Sequence, residues 1–169
     1  MKWTYNDGGR KAAGFKGTAG DCVARSVAIA SGMPYSEVYA ALSNGAGNER
    51  KSRGASARNG VHTSRKWFKD YMAGLGFKWV PTMHIGSGCK VHLNEKELPN
   101  GNLVVAVSRH YTAVIDGVIH DTYDPSERGA TIYPNGMPTD QLPKGAYRLN
   151  NGHWCYAPER CVYGYYVKS

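Results

Sequence analysis

Nowhere in this 169-residue chain do about 18 apolar residues follow one another, so no segment is predicted to cross a membrane as a helix. The first residues, MKWTYNDGGRK, hold no apolar core of the kind an export signal needs, and the expected compartment is the cytoplasm. Cysteine is scarce. Cys22, Cys89, Cys155 and Cys161 are expected to be mostly reduced there, although Cys155 and Cys161 are close enough in sequence to pair in an oxidising setting. Recognised zinc spacings are absent: neither His84, Cys89 and His92 nor His153, Cys155 and Cys161 follow one, so no metal or other cofactor is expected. The loop His84-Ile85-Gly86-Ser87-Gly88-Cys89-Lys90 lacks the longer glycine spacing and the Lys-Ser/Thr of a phosphate loop, which argues against nucleotide binding there. There are no internal repeats and no convincing boundary, so residues 1–169 read as a single domain.

What the chain does hold is enough apolar surface for a core: 41% hydrophobic residues, with four tryptophans and twelve tyrosines. The net charge of +8 is compatible with nucleic acid or an acidic partner without requiring either. Residues 1–20 are Gly-, Lys- and polar-rich and read as an N-terminal arm with little regular structure, anchored by Trp3, Tyr5 and Phe15. Apolar residues at helical spacing then predict helices over 21–31, 35–43 and 63–75, the last with Trp67, Phe68, Tyr71, Met72 and Leu75 on one stripe. Between the second and third lies a polar basic loop, 44–62, whose Arg50, Lys51, Arg53 and Arg58 are candidate contacts for an anionic partner. Beyond Gly76 the period changes to two, predicting strands at 77–80, 103–107 and 160–167, while 126–158 is loop-like.

Two stretches carry chemistry. In Lys16-Gly17-Thr18-Ala19-Gly20-Asp21-Cys22, a glycine-bearing loop runs into Asp21, a good helix N-cap, and places Cys22 at the first helical position. There the positive end of the helix dipole favours a thiolate, making Cys22 a candidate nucleophile. Downstream, Asp116-Gly117 between two β-branched runs is a strong hairpin signal. With those two residues as the turn, Ala113 faces His120 and Thr112 faces Asp121, so His110, Thr112 and Asp121 share one face and Asp124 points to the other. His110 is then the candidate base and Asp121 the carboxylate that fixes its tautomer. Arg25, one turn after Cys22, is either a cleft residue or a solvated helix residue, and His62 and His120 read as structural.

A nucleophile on an N-terminal helix followed by a base and an acid on a sheet resembles the papain-like cysteine peptidases, and 110–125 is most similar to their bacteriocin-processing branch. The blocks Tyr5-Asn6-Asp7-Gly8-Gly9-Arg10, 16–35, 110–124 and Cys161-Val162-Tyr163-Gly164-Tyr165 resemble uncharacterised small proteins of bacteriophages and prophages, with 127–159 as an insertion. The resemblance implies an α+β, papain-like fold with N-terminal helices packed against an antiparallel sheet. It further implies thiol-dependent hydrolysis or acyl transfer on a peptide, isopeptide or other amide, and a phage product working in the host cytoplasm. The implied partners are a peptide or protein substrate and a host protein; the alternative is a non-catalytic protein whose basic surface engages nucleic acid or a host protein. Lys16 stands where such peptidases usually place an oxyanion-binding glutamine, so Lys16, Thr18 and Asn6 are the candidate oxyanion or cleft donors.

Overall fold

Helical spacing followed by strand alternation divides the chain much as expected, and the computed structural model describes residues 1–49, 54–126 and 129–169. Helix α1 spans Cys22–Ser31, α2 Tyr35–Gly47 and α3 Lys66–Gly74. The main sheet is built from β1 (Lys2–Tyr5), β2 (Phe77–Pro81), β3 (Asn102–Val107), β4 (His110–Ile115), β5 (Val118–Asp121) and β9 (Val162–Lys168). Its order is β1-β5-β4-β3-β9-β2, and all neighbours are antiparallel except β1 and β5. The fold is therefore α+β around a mixed sheet. No helix among the described residues is long and apolar enough to cross a membrane.

Strand alternation gives the sheet two apolar faces. Val104, Ala113 and Tyr166 join Val27, Val38, Leu42, Phe68 and Met72 in the core shared with the helices. Leu103, Val105, Val107, Val114, Ile119 and Val162 form a second core with Leu93 and Leu98. Phe68 and Met72 are fully buried and Trp67, Tyr71 and Leu75 partly so, as the α3 stripe requires. Because α1 lies against β4, its first residue meets the start of that strand.

Four features depart from the sequence reading. The arm is not without regular structure: Lys2–Tyr5 is an edge strand running parallel to β5. Helix α2 continues through Gly45 and Gly47 into the region read as loop. The reason is packing, since a Cβ at Gly45 would stand 2.3 Å from the Trp67 ring, and only glycine lets the indole lie on the helix backbone. The loop-like 126–158 holds a small sheet, ordered β6-β8-β7, of β6 (Thr131–Tyr133), β7 (Tyr147–Arg148) and β8 (Trp154–Tyr156). Finally, Cys89 and Cys161 are not reduced but joined in a disulfide, with Cα atoms 5.8 Å apart, while Cys22 and Cys155 are free. The loop before Leu93 is thereby tied to the start of β9, where Leu93 N–H also bonds Arg160 O and Val162 N–H bonds Val91 O.

Candidate active site

Asp116 and Gly117 both take positive φ in a two-residue turn, and the β4–β5 register sets Ala113 opposite His120 and Val114 opposite Ile119. That register brings His110 and Asp121 together: His110 Nε2 lies 2.6 Å from Asp121 Oδ2, with both side chains buried. Asp121 Oδ1 accepts the Thr122 N–H at 2.7 Å, and the Asp121 carbonyl accepts the Asn6 N–H at 2.9 Å, so β1 and its extension hold the acid in place. With Nε2 committed to Asp121, Nδ1 is the ring nitrogen left for the thiol. Tyr123 covers the imidazole, its ring centroid 5.0 Å from that of His110. Asp124 does not join the site; its carboxylate accepts the Ser126 N–H.

Cys22 is the first residue of α1, and its thiol lies in one cleft with the His110 side chain, close enough for each to act on the other's charge. Burial alone would push its thiol up. The hydrogen bond and charge of His110, the Tyr111 N–H and the charge of Arg25 together hold it below the ordinary value. Burial likewise opposes the charge on His110, yet the hydrogen bonds to Asp121 and Cys22 raise it to about 9. Against its own burial, Asp121 is held below the ordinary carboxylate value, first by His110 and then by the Thr122 N–H. All three shifts run the same way, each favouring the charged form of its group.

Asp21, expected as a side-chain cap, makes no cap hydrogen bond. Its carboxylate is buried and pairs with Arg10 Nε at 2.9 Å and Arg25 Nε at 3.1 Å, while accepting a hydrogen bond from Tyr35 Oη. Side-chain partners, Arg25 one turn on and Arg10 and Tyr35 from farther away, outcompete the cap because two guanidinium groups and a phenol stabilise a buried carboxylate more than one N–H does. Arg25 also donates to Thr122 Oγ1, so it bridges the start of α1 to the residue after Asp121. Uncapped, α1 has its first intrahelical bond from Arg25 N–H to Asp21 O, which leaves the N–H groups before it without an intrahelical partner.

The thiol lines a cleft of about 390 Å³ with His110, Tyr111, Val23, Gly60, Val61, Trp79, Ala106, Val107, Arg109 and Tyr163. Lys16 and Thr18 line a different cavity, of about 630 Å³, beside Arg10, Asp21, Arg25 and Tyr123. The structure therefore does not bring Lys16 or Thr18 into the Cys22 cleft. Nor is Asn6 an available donor there, since its side chain accepts the Gly8 N–H and contacts His120 Nδ1. Arg58 donates to Thr18 O, helping to secure the loop before Cys22, whereas Arg50, Lys51 and Arg53 lie outside the described residues. Neither histidine-cysteine set assembles: Cys89 and Cys161 bond each other. Among the described residues the one group with metal-ligand proximity is His92, Glu97 and Glu159 at the surface, its carboxylates bridged by Asn94 Nδ2.

Sequence reasoning missed Arg10, Tyr35, Tyr123 and Arg160. The Arg160 guanidinium donates to Ser108 O in the turn before His110. These are single residues far apart in the chain, and no periodicity marks them. No protein-family model, curated protein or solved structure matches the chain.

Proposed function

We propose that the protein is a thiol-dependent hydrolase or acyl-transferase acting on a peptide, isopeptide or other amide, with Cys22 as nucleophile, His110 as acid and base and Asp121 as the positioning carboxylate. The observation that carries this reading is the paired shift of Cys22 downward and His110 upward next to a 2.6 Å His110–Asp121 contact. In this reading the Cys22 thiolate attacks the carbonyl carbon, and the electron pair moves to the carbonyl oxygen. The N–H groups at the start of α1, left uncapped by Asp21, stabilise that oxyanion. The His110 imidazolium then gives its proton to the departing nitrogen, leaving a thioester. A water or amine, deprotonated by the now neutral His110, releases the acyl group. A papain-like arrangement belongs to the same proposal, supported by helices packed on the sheet beside the thiol; the phage product in the host cytoplasm rests on the motif resemblance alone, and the Cys89–Cys161 disulfide weighs against that compartment.

Intact-mass kinetics with iodoacetamide at about pH 6 test the reading, because an ordinary thiol of pKa about 8.5 is almost wholly protonated there. Cys22 should alkylate much faster than free cysteine, and His110→Ala should abolish the advantage. A Cys22 no faster than free cysteine, or one indifferent to His110→Ala, would refute it.

A further inference from the structure

Arg109 sits in the two-residue turn joining β3 to β4, next to His110, with φ +57°. Left-handed backbone is where glycine or asparagine is comfortable and a long side chain is strained. Turn geometry thus gives no reason for arginine. The turn is instead held from outside, through the Arg160 guanidinium on Ser108 O. The Arg109 side chain is exposed, lines the Cys22 cleft, and has no hydrogen bond or ion pair among the described residues. This contrasts with Arg10 and Arg25, both paired with Asp21. Among the described residues no carboxylate lines the cleft, whose other walls include Val61, Trp79, Val107 and Tyr163.

We infer that Arg109 is a specificity-determining residue: the cleft takes a substrate segment bearing a carboxylate beside an apolar portion, the carboxylate paired with Arg109 and the apolar portion against Trp79 and Tyr163. Guanidinium suits this role because it stays charged and presents a planar fork of donors to a carboxylate. The inference rests on the thiol reading of Cys22 for its substrate, but its test separates the two.

Iodoacetate and iodoacetamide react with Cys22 by the same displacement and differ by one carboxylate. Their rate ratio at low ionic strength should fall by about three- to tenfold in Arg109→Gly, and further in Arg109→Glu, with the iodoacetamide rate nearly unchanged. Glycine is at ease at this φ, so Arg109→Gly keeps the turn. Lys16→Gln, in the neighbouring cavity, should leave the ratio as it is, and added salt should lower it in the native protein and in Lys16→Gln but not in Arg109→Gly. An unchanged ratio in Arg109→Gly, or an equal fall in Lys16→Gln, overturns the inference. A Cys22 slow with both reagents counts against the hydrolase reading, while the ratio still reports on Arg109.

Discussion

His110 and Asp121, eleven positions apart in the chain, meet side chain to side chain at 2.6 Å across the β4–β5 hairpin, and through His110 the carboxylate reaches the thiol of Cys22. Each member of this row changes the protonation of the next, so substitution of one is readable at another.

Removing the imidazole leaves Cys22 with its burial and fewer of the groups that oppose it. In His110→Ala the thiol should ionise well above its value in the native protein. The alkylation rate at pH 7 should fall at least about tenfold, one pKa unit being a factor of ten in thiolate. The pH profile of iodoacetamide alkylation gives this directly; an unmoved profile would mean that the helix start alone activates the thiol.

Asp121 is held below the ordinary carboxylate value of 3.8, so it contributes stability that is present above pH 3.8 and lost as pH falls through its lower folded value. Asp121→Asn removes that contribution. The difference in melting temperature between native protein and Asp121→Asn should be largest near neutrality and shrink below about pH 3.8, as followed by circular dichroism. A constant difference down to about pH 2 would contradict the assignment.

The buried role of Asp21 separates cleanly from capping. Asp21→Ser keeps a good cap residue but leaves Arg10 and Arg25 without their carboxylate. Loss of a cap alone costs about 1 kcal/mol, whereas breaking a buried charge pair costs about 3 kcal/mol or more. Urea denaturation should therefore find Asp21→Ser and Asp21→Ala similarly unstable; rescue by serine would restore the capping role.

Helix propensity predicts that Gly45→Ala stabilises α2 by about 1 kcal/mol. The contact with Trp67 predicts the opposite, because the new Cβ would lie 2.3 Å from the ring. A net destabilisation of about 1–3 kcal/mol is expected, with a change in tryptophan fluorescence as the indole is displaced. A more stable variant would show that Trp67 moves aside freely.

The disulfide closes a separation of 72 residues, for which chain entropy gives about 4 kcal/mol. Cys89→Ser should lower the denaturation midpoint and make it insensitive to dithiothreitol, while the native protein loses stability on reduction. Equal midpoints for native protein with and without reductant would exclude the bond in solution.

The parts legible in sequence were those with a local signal. Asp116-Gly117 fixed a register, and the register put His110 and Asp121 on one face; a cap-like residue before an apolar helix put Cys22 at its start. The unread parts depend on distant residues. Strand β1 alternates polar and aromatic residues over only four positions and is exposed along its whole length, so its pairing with β5 is what makes it a strand. Asp21 looks like a cap until Arg10 and Tyr35 are brought to it, and Gly45 looks like a helix breaker until Trp67 covers it. Disulfide connectivity among four cysteines has no local signature at all.

Strand β1 also sets an order of events. Lys2 pairs with Val118 and Tyr5 with Asp121, and the next residue holds the Asp121 carbonyl, so the earliest part of the chain waits for one of its later strands. Such distant pairings form slowly. The hairpin alone can bring His110 to Asp121, but the backbone of Asp121 is secured from its outer side only when β1 has paired. The last edge of the sheet beside the candidate site is therefore closed by the first residues of the chain, and the site's outer wall is complete only in the finished molecule.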